Sequence, residues 1–141
     1  MNKPAHILIV DDDAAFAASN KDLLEAYGYT VDTAPDGRQG IEQALRHQPD
    51  LVILDVMMTY DSEGFDVARR LRDIPELKHV AVLLVTGMAR AMRLPRLPEP
   101  DKEWLPVDRV LEKPIDPARL VKEVERVLET QQDGGKHDER S

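Results

Sequence analysis

The chain has 141 residues, 42% of them hydrophobic and 33% charged, with a net charge of −8 and no cysteine. That is ordinary for one globular domain around a single core. The acid excess argues against a general nucleic-acid binder, and the missing cysteines exclude a disulfide framework and thiolate chemistry.

The opening segment MNKPAHILIVDDD holds only four apolar residues in a row, fewer than the roughly 7–15 of a signal-peptide core. The longest apolar run is Val80–Val85, six residues, so no membrane span is predicted. A cytoplasmic protein is the default expectation.

Ile7–Val10 is a short β-branched run that ends at Asp11, Asp12 and Asp13, and it reads as a buried strand. Residues 14–27 read as a helix with Phe16, Leu23, Leu24 and Tyr27 near helical spacing, stopped by Gly28. Thr30–Ala34 is a more polar strand. Asp36 caps a second helix carrying Ile41, Ala44 and Leu45, which Pro49 ends. Leu51–Asp55 is a second apolar strand, and 64–73 a third helix with Phe65, Ala68 and Leu71 inward. Val80–Val85 is the third apolar strand and Val107–Glu112 a weaker one. Asp116 and Pro117 open the last helix as N-cap and first-position proline, with Leu120, Val121, Val124, Val127 and Leu128 inward. Domain organisation follows as one domain over 1–130 and a disordered polar tail over 131–141, a stretch without apolar residues.

Alternating strands and helices imply an α/β fold with a parallel sheet. Strands one, three and four are continuous apolar runs, as strands covered on both faces should be. Strands two and five carry Asp32, Arg109 and Glu112, which suits edges. A five-stranded, doubly wound sheet in the order 2-1-3-4-5 satisfies this, and its ligand crevice lies beyond the carboxyl ends of strands one and three.

Asp11 and Asp12 end strand one, Asp55 ends strand three, Thr86 ends strand four, and Lys113 follows strand five. Taken singly, each is a turn-former, a cap or a surface charge. Together they converge on one crevice. Clustered carboxylates repel unless a cation neutralises them, and hard oxygen ligands suit Mg2+. A carboxylate can also attack phosphorus to form an aspartyl-phosphate, with a lysine and a hydroxyl to hold the phosphoryl oxygens.

At this point the chain resembles the receiver domains of two-component response regulators. The matching pieces are ILIVDDD (7–13), LVILDVMM (51–58), VLLVTG (82–87) and LEKPID (111–116), in order and spacing across residues 5–130. The resemblance implies a flavodoxin-like fold and a phosphoacceptor switch that assists its own phosphorylation and dephosphorylation but is not a turnover enzyme. It implies that Asp55 accepts a phosphoryl group from a histidine kinase or phosphotransfer protein. Asp12, with Asp11, Asp55 and the Met57 backbone carbonyl, would bind Mg2+. Thr86 and Lys113 would hold the phosphoryl group. The downstream partner is an unnamed protein, with neither nucleic acid nor membrane expected as a direct target.

The chain departs from the family pattern in places. Thr59 stands where a proline is usual, and Val110 where a switching aromatic is usual. Between Thr86 and Lys113, Pro95, Pro98, Pro100 and Pro106 interrupt the sequence, so a shortened or irregular fourth helix is predicted. Arg90, Arg93 and Arg96 there read as a solvated face, and Trp104 as a core cap. Two other functions compete. A haloacid dehalogenase-type aspartate phosphohydrolase fits Asp11-Asp12-Asp13, but Ala15 breaks its pattern. A phosphorylation-independent pseudo-receiver would fit the departures.

Overall fold

The computed structural model describes residues 4–56, 63–86, 100 and 106–140, with side chains for all of these except 56, 63–65 and 131–140. β1 (His6–Asp11), α1 (Ala14–Ala26), β2 (Thr30–Ala34), α2 (Gly37–His47), β3 (Leu51–Val56) and α3 (Glu63–Asp73) lead through a short 3-10 turn (Pro75–Leu77) to β4 (Ala81–Thr86), β5 (Arg109–Glu112) and α4 (Pro117–Arg140). The five strands form one parallel sheet in the order β2-β1-β3-β4-β5, as the polarity of the strands requires. The shortened fourth helix, Met57, Thr59, Trp104 and the three arginines Arg90, Arg93 and Arg96 lie outside the described residues.

Each strand's two-residue period divides its side chains between two cores. Leu8, Val10, Val52, Leu54, Val82 and Leu84 pack with Ile41 and Ala44 of α2 and Val67, Ala68 and Leu71 of α3. Ile7, Ile9, Leu51, Ile53, Leu83, Val85 and Leu111 pack with Leu24 of α1 and Leu120, Val124 and Val127 of α4. The three central strands are therefore buried on both faces, and their continuous apolar runs follow from that.

Helix ends are built as their residues dictate. Asp13 Oδ1 accepts the Phe16 backbone N–H at 3.1 Å, and Asp36 Oδ1 accepts that of Gln39 at 2.8 Å, so each carboxylate satisfies a first-turn donor. Gly28, at φ +97°, takes the left-handed position after α1. Gly40 lets α2 lie directly against β1: a Cβ there would stand 2.7 Å from Val10 Cγ2.

Two apolar residues of the helix patterns are exposed. Tyr27 is 58% and Leu45 42% exposed. Tyr27 is the C-cap residue of α1, beyond its last regular turn. Leu45 lies next to Ala44 on α2, about 100° round the helix, and of these two only Ala44 is buried against the sheet. The last helix runs on through 131–140, the stretch whose composition suggests a disordered tail. A helix already nucleated by packing extends at one hydrogen bond per added residue.

Candidate functional site

Asp11, the last residue of β1, and Asp55, the last but one of β3, are direct register partners. They are in phase with Ile7, Ile9, Leu51 and Ile53, and therefore stand on the α1/α4 face of the sheet. Both are buried. Lys113, just beyond β5, is in phase with Leu111 of the same face. Its backbone N–H donates to Thr86 O at 3.0 Å, its Nζ ion-pairs with Asp55 Oδ1, and the Lys113–Pro114 peptide that follows is cis.

The electrostatics follow from this crowding. Burial pushes Asp55 up to about 7. The Lys113 ammonium pulls the other way, and the Asp11 charge adds to the rise. Burial also raises Asp11, against the Asp13 backbone N–H, which donates to Asp11 Oδ1 at 2.9 Å. A protonated Asp55 can donate to Asp11, so the two carboxyls are coupled.

Asp12 is exposed, because the next residue of an extended chain points the other way. It remains near enough to add repulsion to Asp11. The predicted convergence of three carboxylates is thus met by two buried ones and a third at the rim. No group of three or more His, Asp or Glu side chains able to hold a metal ion stands among the described residues.

Two carboxylates still suit a hard divalent cation, since Mg2+ takes one or two and fills its shell with waters, carbonyls and phosphate oxygens. The structure supports that fit. Asp11 Oδ2 is buried with no hydrogen-bond partner among the described residues, and Asp55 Oδ1 has none beyond the Lys113 ion pair. Buried anionic oxygens left so poorly compensated favour a cation between them.

Thr86 is fully buried and is the register partner of Val56, one step beyond Asp55. The strand's alternation sets it in phase with Val82 and Leu84, so it approaches the crevice from the other face than Lys113. The four histidines are scattered in the sequence. His6 bonds Asp32 at 2.6 Å at the opposite end of the sheet.

Two features escaped the sequence reading. The Phe16 ring lies 4.9 Å from Lys113 Nζ; Phe16 read simply as a core residue of helix one. Glu123 is buried on α4, with Arg109 Nη2 at 3.1 Å and Arg119 Nε at 3.4 Å. Its place three residues from Leu120 on the apolar stripe was the signal for it.

The fold and these residues define a class: a doubly wound flavodoxin-like domain with an acidic crevice at its β1/β3 switch point and a lysine facing it. Residues 7–125 match the response regulator receiver domain family, and the chain belongs to that family, a module of two-component signalling. It is 38% identical over 110 residues to the response regulator PleD of Caulobacter vibrioides, covering 76% of this chain and 24% of PleD. The chain thus spans about a quarter of that relative's length. It is 33% identical over 86 residues to the polar-differentiation response regulator DivK of Brucella anthropi, covering 61% of this chain and 69% of DivK. Among solved structures, a CheY-like receiver domain protein from Methanospirillum hungatei superposes with a TM-score of 0.76 at 25% identity, over 93% of this chain and 98% of that one. Family membership removes the dehalogenase-type phosphohydrolase reading of Asp11-Asp12-Asp13. No helix among the described residues is long and apolar enough to cross a membrane.

Proposed function

We propose that this receiver domain is a phosphoryl-accepting switch in which Asp55 is the acceptor, supplied by a histidine kinase or a phosphotransfer protein and read by a downstream protein. The observation that carries this is the buried Asp55 carboxylate held between Asp11 and the Lys113 ammonium.

In the step proposed, a carboxylate oxygen of Asp55 forms a bond to phosphorus while the bond from phosphorus to the donor breaks. The donor leaves with that electron pair. Asp55 must be ionised to attack, and its burial, with the neighbouring Asp11 charge, opposes this. Asp11 and Asp55, with Asp12 at the rim and the Met57 carbonyl in the family's pattern, are the residues proposed to hold Mg2+. When bound, Mg2+ supplies positive charge for the carboxylates and for the transferring oxygens. Lys113 holds the ammonium where a phosphoryl oxygen on Asp55 would arrive, and Thr86 offers the hydroxyl that draws strand four toward it.

Intact-mass measurement after incubation with acetyl phosphate and Mg2+ tests the proposal. One added phosphoryl group, dependent on the cation and absent in Asp55→Asn, is expected. No addition in the parent would leave a domain that only binds partners, and equal addition in Asp55→Asn would place the acceptor elsewhere.

A further inference from the structure

We infer that Phe16 is a positioning residue for Lys113, its ring holding the ammonium against Asp55. This rests on the phosphoacceptor reading and extends it to a side chain outside the acidic crevice. Lys113 Nζ stands 4.9 Å from the Phe16 ring centroid while it ion-pairs with Asp55. A ring face attracts a cation at that range, more strongly as water is excluded, and the Lys113 side chain is only 20% exposed.

The backbone that carries the ring is itself held by the carboxylates. Asp11 Oδ1 accepts the Asp13 N–H at 2.9 Å, and the Asp13 side chain accepts the Phe16 N–H at 3.1 Å. The Ala17 N–H donates to Asp13 O at 2.9 Å. A closed circuit results: Asp11 to Asp13, Asp13 to Phe16, Phe16 to Lys113, Lys113 to Asp55, and Asp55 beside Asp11 across the sheet. Phe16 is half-buried and belongs to neither core cluster, so filling the core does not account for it.

Lysine is a compact charge on a flexible four-carbon stem. Its backbone is tied to Thr86 O, which leaves the stem to be directed. The ring does this, and keeps the ammonium aimed at Asp55 rather than at solvent.

The test compares Phe16→Leu, Phe16→Tyr and Lys113→Ala in the full chain, by the rate of phosphorylation from acetyl phosphate with Mg2+ and by the NMR shifts of the Lys113 methylene protons. Leucine keeps apolar bulk and removes the ring. It should slow phosphorylation by about 2- to 30-fold, the range of a cation–π contact, with an unchanged melting temperature. Tyrosine should restore the rate. In a Lys113→Ala background, Phe16→Leu should cost nothing further. The Lys113 Cε protons should lie upfield in the parent and move downfield in Phe16→Leu. An unchanged rate in Phe16→Leu, an equal loss in the Lys113→Ala background, no rescue by tyrosine, or Lys113 shifts indifferent to the ring would each overturn the inference. The NMR arm needs no phosphorylation, so a parent that accepts no phosphoryl group would count against the proposed function and leave the role of Phe16 to be decided by the shifts.

Discussion

Asp11 and Asp55 are register partners on neighbouring parallel strands, both buried, with Lys113 ion-paired to the second. Their backbone pairing forces two acids to the same height on the same face, so the sheet itself creates the electrostatic cost.

That cost gives the stability a definite dependence on pH. The Asp55 pKa rises from 3.8 to about 7 on folding, chiefly through burial. Between those values the folded state holds a proton that the unfolded state releases, so this group's contribution falls as pH rises through the window and is flat above it. Asp55→Asn mimics the protonated carboxyl. In metal-free buffer it should be more stable than the parent at pH 8, by up to about 4 kcal/mol at roughly 1.4 kcal/mol per unit, and equal to it near pH 4. Denaturant titrations at the two pH values check this. A stability difference that does not change with pH sinks it.

A divalent cation should relieve the same strain. Mg2+ at about 100 times its dissociation constant would add roughly 2.7 kcal/mol to the parent at pH 8. Asp11→Asn removes one of the two buried carboxylates, and should weaken Mg2+ affinity at least tenfold while raising metal-free stability. Calorimetric titration of both proteins decides it, and equal affinities would remove Asp11 from the cation site.

The fold was legible because burial on both faces writes itself as continuous apolar runs, in Ile7–Val10, Leu51–Leu54 and Val80–Val85. Edge position was equally legible in the polar Asp32 and Arg109. The acidic crevice could be read from where those runs stop. Two things could not. One is direction at the rim: Asp11 and Asp12 are adjacent letters, but only the strand's alternation shows that one is buried and the other exposed. The other is contact between distant segments. Phe16 and Lys113 are 97 positions apart, and no local pattern joins them. The exposure of Leu45 was not legible either, because helix periodicity gives the direction of a stripe and not its width.

Close approach of α2 to β1 makes Gly40 a sensitive position. Alanine in a helix ordinarily gains about 1 kcal/mol over glycine. Here the new Cβ would stand 2.7 Å from Val10 Cγ2, and overpacking of this kind costs about 1–3 kcal/mol. Gly40→Ala should therefore be destabilising despite its better helix propensity, and Val10→Ala should remove much of its penalty. A Gly40→Ala protein more stable than the parent would show that the helix can move away freely.

Glu123 gives the last prediction. It is buried on α4, with the Arg109 guanidinium of β5 at 3.1 Å and the Arg119 guanidinium at 3.4 Å. The two arginines are not equivalent. Arg119 lies one turn before Glu123 on the same helix with its side chain 62% exposed, so its pairing is worth a few tenths of a kcal/mol. Arg109 comes from the edge strand, and its partner's side chain is only 6% exposed. Removing Arg109 leaves a buried carboxylate without its cross-element cation, a change that costs about 3–5 kcal/mol where nothing else compensates; the remaining Arg119 should reduce this to about 1–3 kcal/mol. Arg109→Ala should therefore destabilise far more than Arg119→Ala. Glu123→Leu, which removes the buried charge and extends the apolar stripe of α4, should cost little and should abolish the penalty of Arg109→Ala in the double variant. The site should register the same loss, because β5 leads directly into Lys113 and is held at its other end by this ion pair. Arg109→Ala should slow phosphorylation of Asp55, and Arg119→Ala should not. Equal stabilities and equal rates in the two arginine variants would show that α4 holds β5 by its apolar contacts alone.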